Sequence, residues 1–143
     1  MALVVLTVGA ACGGDDEKTS SGHEMGAMPA ETQPAAFARL DPATFADHMQ
    51  DKDAVLINVH IPYEGEIEQT DAFIPYDKIL GDTRLPQDKS KEILLYCRTG
   101  RMSEEAGAAL NHAGYTKVAH LEGGMKAWEA SGHKLIQNPA HAS

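Results

Sequence analysis

Three short apolar runs, each followed by a turn and most by a helical pattern, constrain this chain most. Ala54 to Val59 is continuously apolar except for Asn58, Glu92 to Tyr96 is a second run, and Lys117 to Leu121 a third. Runs of this length without polar alternation suit strands buried on both faces. Between them, Ser103 to Ala113 reads as a helix ended by Gly114, and Met125 to Ala130 as a helix stopped near Gly132. Asp41 and Pro42 form an N-cap and first helical position for a helix through about Gln50, with Phe45 and Met49 on its apolar face. His60 to Ala72 reads as a long polar loop, and Phe73 to Tyr76 as a short extended piece. Strand and helix alternating in this way predict an α/β fold, a parallel sheet covered by helices. Ligands of such sheets bind beyond the C-terminal ends of the strands.

Cys97 falls at such an end. It follows Leu94-Leu95-Tyr96 and opens Cys97-Arg98-Thr99-Gly100-Arg101-Met102-Ser103, a cationic turn that leads into a helix. The thiolate is the nucleophilic form of cysteine, and helix N-terminal N–H groups and nearby arginines favour negative charge on sulfur. A buried structural cysteine is the alternative reading, and the two arginines and the glycine within four residues argue against it.

The chain of 143 residues, 43% hydrophobic, has room for one domain with a core. A formal net charge of −9 excludes the broad basic face that nucleic acid binding needs, so no nucleic acid partner is expected. An anionic substrate must be attracted locally, and Arg98 and Arg101 supply that charge.

Met1 to Ala11 is an apolar run ending in small residues and followed by Cys12. It is too short to span a bilayer as a helix and resembles a bacterial lipoprotein signal, residues 1–12, with Cys12 as the lipidated residue. That implies an extracytoplasmic protein anchored to the cell membrane. Residues 13–36 are rich in small, polar and acidic residues and read as a disordered tether. His23, Met25 and Met28 are metal-binding types, but no second cluster completes a coordination shell, and no metal site is assigned. Residues 37–136 form the expected domain and 137–143 a frayed tail. Cys12 and Cys97 are the chain's two cysteines. With Cys12 lipidated, Cys97 is an unpaired thiol outside the cytoplasm, which suggests that it is used.

Tyr96 to Ser103, with Leu56-Ile57-Asn58-Val59-His60 upstream and Leu121-Glu122-Gly123-Gly124-Met125-Lys126-Ala127-Trp128 downstream, resembles a single-domain rhodanese. The likeness covers about residues 37 to 136, with the three blocks in the family's order. It implies a rhodanese-like sheet of about five parallel strands with helices on both faces. It also implies a sulfurtransferase in which Cys97 becomes a persulfide. The donor is then a small anion such as thiosulfate, the acceptor is thiophilic, and no cofactor is needed because the covalent cysteine intermediate carries the reaction.

The residues of the turn suit that chemistry. A loop from Cys97 to Met102 can aim successive backbone N–H groups inward as an anion nest, and the helix beginning near Ser103 adds its positive end. Gly100 permits the turn, Thr99 offers a hydroxyl and an amide, and Arg98 and Arg101 can hold a sulfonate. The competing role for either arginine is a surface ion pair with Glu104 or Glu105. Glu64 and Glu66 are expected to organise the long loop, and Trp128 to fill the core. Many rhodaneses carry Arg where this chain has Met102, and Asp-Val-Arg where it has Asn58-Val59-His60. His60, at the end of the neighbouring strand, can reach toward the pocket or serve as a satisfied loop residue.

Two other functions share parts of this pattern. Cysteine phosphatases and arsenate reductases use a similar thiolate and nest, but need an arginine six positions after the cysteine, where this chain has Ser103. A non-catalytic persulfide carrier needs the nest without a complete donor pocket.

Overall fold

The computed structural model describes residues 37–142. The lipoprotein-type signal with Cys12, and the tether, lie outside the described residues.

Asp41 caps the first helix, accepting the Thr44 N–H on Oδ1 at 2.7 Å, and Pro42 takes the position where a missing N–H costs nothing. The helix, α1, spans Pro42–His48 and buries Phe45 completely. It follows a short strand, β1 (Ala38–Leu40), and precedes β2 (Val55–Asn58) and β3 (Ala72–Phe73). A 3-10 helix over Tyr76–Gly81 leads to β4 (Ile93–Tyr96), α2 (Arg101–His112), β5 (Val118–Leu121) and α3 (Gly124–Ala130).

The five strands form one parallel sheet in the order β1-β5-β4-β2-β3. The central strand β4 is buried throughout, flanked by β2 in the register Leu95 to Ile57 and by β5 in the register Leu95 to His120. Successive side chains of these strands serve opposite cores. Ile57, Val59, Ile93, Leu95, Cys97 and Val118 pack on the side where α2 brings Ala106 and Leu110. Leu56, Leu94, Tyr96, Ala119 and Leu121 pack with Phe45 of α1 and Met125 and Trp128 of α3 on the other. Helices on both faces explain why these strands read as apolar runs without polar alternation, Asn58 and His120 being their polar members.

Four details depart from the sequence reading. β1 was not expected: three residues with a mostly exposed pattern carry no periodic signal, and the strand exists through pairing with β5. Extended structure predicted to Tyr76 ends at Phe73, and Pro75 instead caps the 3-10 helix, anchored by buried Ile79. α2 begins at Arg101 rather than Ser103, because Gly100 takes a left-handed conformation (φ +109°) and serves as N-cap. Finally, residues beyond Ile136, expected to be frayed, have defined partners. Ile136 and Glu66 exchange backbone hydrogen bonds of 2.8 and 2.9 Å, the Asn138 N–H donates to Tyr63 Oη at 2.7 Å, and His141 Nδ1 meets Glu66 Oε2 at 2.8 Å. The cause is Glu66, whose buried carboxyl group needs polar partners that the tail supplies. Among the described residues, no helix is long and apolar enough to cross a membrane.

Candidate active site

β4 ends at Tyr96, and the next residue is Cys97, 1% exposed. Its Sγ accepts the Gly100 N–H at 3.0 Å. The chain therefore closes on the sulfur within three residues, a turn made possible by the positive φ of Gly100. α2 starts at once, with no side-chain cap. The Gly100 carbonyl accepts the Glu104 N–H at 2.9 Å, so the N–H groups of Arg101, Met102 and Ser103 have no partner within the helix. The positive end of α2 thus follows directly on the sulfur's turn.

The other wall is α3. Its Met125 and Lys126 N–H groups donate to the carbonyls of Cys97 and Arg98 at 2.8 and 3.1 Å. With the Cys97 and Arg98 carbonyls turned to α3, it is the Gly100 N–H of the turn that meets the sulfur. Gly124 (φ +61°) makes this approach possible, since a Cβ there would stand 2.4 Å from the Cys97 carbonyl oxygen. Gly124, at the first position of α3, is therefore a close backbone contact.

Beneath the turn lies a buried polar pair. Ser103 Oγ donates to the Gly100 carbonyl at 3.1 Å and lies 2.9 Å from His120 Nδ1. Both residues are buried, and His120 Nε2 has no hydrogen-bond partner. Burial holds the His120 imidazole below its ordinary pKa, against opposing influence from Glu104. Arg39, Thr99, Gly100, Arg101 and His120 border a cleft of about 270 Å³ on this flank.

The arginines are not free. Arg98 Nη1 lies 3.4 Å from Glu64 Oε1, Arg101 pairs with Glu105 and sits 5.8 Å from the centre of the Tyr76 ring, and Arg39 pairs with Glu104. The ion-pair reading of Arg101 holds with Glu105, while Arg98 takes Glu64. Met102 is half-buried against the core on the α2 side, and Thr99 borders the cleft. Arg101, Met102 and Ser103 belong to the first helical turn rather than to a loop.

His60 is buried, and its Nε2 binds Glu64 Oε2. This bond and the Arg98 guanidinium hold the Glu64 carboxyl group below the usual range. His60 therefore reaches the site through Glu64 and Arg98. Asn58 Nδ2 donates to the Gly65 carbonyl at 3.1 Å and its Oδ1 accepts the His60 N–H at 3.0 Å, so it shapes the loop as a neutral group.

The sequence reading missed His120 and the close approach at Gly124. Alternation along β5 offered a signal for the first: His120 and Val118 must share a face, and Val118 lies on the Cys97 side.

Comparison with known proteins bears on the family and the fold. Residues 41–131 match the family described as rhodanese-like domain. An uncharacterized protein of Synechocystis is 36% identical over 100 residues, covering 68% of this chain and 55% of that protein. The probable adenylyltransferase/sulfurtransferase MoeZ of Mycobacterium tuberculosis is 36% identical over 102 residues, 67% of this chain and 26% of MoeZ. A tRNA uridine(34) hydroxylase of Erwinia tasmaniensis is 36% identical over 84 residues, 54% of this chain and 24% of the hydroxylase. The chain thus spans between a quarter and about half of these relatives. The crystal structure of a rhodanese-related protein from Thermoplasma volcanium superposes with a TM-score of 0.60 at 19% identity, covering 71% of this chain and all of that one.

Proposed function

The chain belongs to the rhodanese-like domain family, and from that premise we propose that it is a sulfurtransferase that moves sulfane sulfur through a persulfide on Cys97. The observation that carries this reading is the Gly100 N–H donated to Cys97 Sγ at 3.0 Å, at the start of a helix with no side-chain cap.

The Cys97 thiolate attacks the outer sulfur of thiosulfate. A new S–S bond forms, the S–S bond of the donor breaks, and sulfite leaves with the electron pair. The outer sulfur of the persulfide keeps one negative charge, which the Gly100 N–H and the unpaired first-turn N–H groups of α2 stabilise. A thiophilic acceptor then attacks that sulfur, and the Cys97 thiolate is released. Arg98 and Arg101 hold the sulfonate end of the donor once it displaces Glu64 and Glu105.

The pairing of both arginines, with Met102 in the first turn of α2, supports a second reading: a persulfide carrier loaded by a partner, with slow turnover on thiosulfate. One experiment addresses both. The full chain is incubated with thiosulfate and, separately, with an organic persulfide, and the Cys97 peptide is weighed. A one-sulfur adduct absent from Cys97→Ser supports the persulfide. No adduct with either donor overturns it. Cyanide-dependent thiocyanate release then separates an enzyme from a carrier.

For location, we propose that Cys12 carries a lipid and holds the domain at the outer face of the cell membrane. Cys12→Ala or globomycin treatment should shift the protein out of the membrane fraction, and unchanged fractionation sinks the idea.

A further inference from the structure

We infer that His120 is a positioning residue for the sulfur-holding turn, acting on Gly100 through Ser103. The inference rests on the reading of Cys97 as the sulfur-carrying residue and goes beyond it to a residue on a different strand.

The hydrogen bonds assign the protons. Ser103 has one hydroxyl hydrogen, and the Gly100 carbonyl is an acceptor only, so the 3.1 Å contact uses that hydrogen. Ser103 Oγ must then accept at its 2.9 Å contact with His120, which places a hydrogen on Nδ1. Nε2 of the same neutral ring carries a lone pair, and it is this atom that is buried without a partner. The ring is kept at the cost of one unsatisfied acceptor, which a merely space-filling side chain would avoid.

The direction of the chain of contacts gives the role. His120 orients the Ser103 hydroxyl, Ser103 holds the Gly100 carbonyl beside the Glu104 N–H, and the N–H of Gly100 faces Cys97 Sγ. Gly100 is the residue with most freedom to turn away, being a glycine at φ +109°. Fixing its carbonyl restricts the rotation that would withdraw its N–H from the sulfur. Phe37 sets the imidazole from the side, edge-on at a centroid distance of 5.4 Å.

The test compares His120→Leu, His120→Asn, Ser103→Ala and the Ser103→Ala/His120→Leu double variant in the full chain. The readouts are kcat and KM for thiosulfate and, independently of any transfer activity, the rate at which iodoacetamide alkylates Cys97, followed on its peptide. Asn can present an N–H near the place of Nδ1, whereas Leu cannot. His120→Leu should lower kcat and the alkylation rate roughly fivefold, the scale of one hydrogen bond, with KM little changed. His120→Asn should restore both, Ser103→Ala should match His120→Leu, and the double variant should be no worse than either single one. The proposal is overturned if His120→Leu reacts at the wild-type rate, if Asn is as slow as Leu, or if the two losses multiply. Should His120→Leu fail to fold, Ser103→Ala decides, and a wild-type alkylation rate in that variant overturns the proposal. Absence of transfer in every protein with the alkylation pattern intact refutes the sulfurtransferase reading and leaves the positioning role standing.

Discussion

Gly124 lies against the Cys97 carbonyl so closely that no side chain fits between them: a Cβ would meet the oxygen at 2.4 Å and the next peptide's carbonyl carbon at 2.5 Å. These are backbone atoms, held in turn by the Met125 and Lys126 N–H groups, so neither side can yield without losing hydrogen bonds. The left-handed φ of +61° adds its own penalty for any residue with a Cβ. Gly124→Ala should destabilise the domain by about 2 kcal/mol or more and displace the sulfur's turn. Denaturant midpoints and Cys97 persulfide yield measure the two effects. A fully stable variant that still loads sulfur contradicts this account of the glycine.

Arg98 and Glu64 form a half-exposed pair, with side chains 39% and 40% exposed, so the contact adds little to stability. On the proposed reading its effect falls on the donor, which would have to compete with Glu64 for the guanidinium. Glu64→Gln removes the competing charge and should lower KM for thiosulfate roughly threefold while changing stability by less than about 1 kcal/mol. The KM of the wild type should also rise with added salt, which screens the attraction of Arg98 and Arg101 for a dianion. A KM that rises in Glu64→Gln would instead mean that Glu64 holds Arg98 in its productive position.

Much of this was legible in the sequence for a definite reason. β2, β4 and β5 are buried on both faces, and that burial writes continuous apolar runs; α1 announces itself through Asp41 and Pro42. Cys97 could be placed because a strand end, a glycine and a helix start are local signals. β1 could not be read, because three residues held by pairing with β5 have no pattern of their own. His120 lies 23 residues along the chain from the cysteine it underlies, and only strand register brings the two together. The partners of Arg98 and of the tail are likewise products of tertiary packing: the fold brings exposed Glu64 beside His60 and Arg98, and it buries Glu66.

His120 makes stability depend on pH in a defined direction. Its folded-state pKa lies below the ordinary value of 6.5, with burial as the main cause and Glu104, Arg39 and Glu122 as the charged groups that act on it. The unfolded chain therefore binds the proton first as pH falls. The neutral ring's contribution is fully present above pH 6.5 and is lost progressively below it, down to the folded-state value. Unfolding free energy should fall on acidification from pH 7 to pH 5, and His120→Asn should flatten that slope. The carboxyl groups whose pKa values are lowered, such as Asp82 and Glu64, act at lower pH and leave the difference between the two proteins unaffected. Parallel curves for wild type and His120→Asn count against this assignment.

Glu66 is 1% exposed, and four contacts reach its side chain and backbone from the end of the chain: Asn138 Nδ2 at 3.2 Å, His141 Nδ1 at 2.8 Å, and the two backbone bonds with Ile136. Tyr63 Oη adds a fifth at 3.2 Å, and it too is held by the tail, through the Asn138 N–H. A carboxyl group this deep loses far more from an absent partner than the pair gains in its presence. Removing residues 138–143 should therefore destabilise the domain by about 2–4 kcal/mol, although none of the described residues removed, 138–142, is fully buried. Glu66→Gln, which keeps the shape without the charge, should recover part of the loss in the truncated chain and cost stability in the intact one. The sign reversal between the two backgrounds is the informative measurement, because a tail that merely covered surface would give Glu66→Gln the same effect in both.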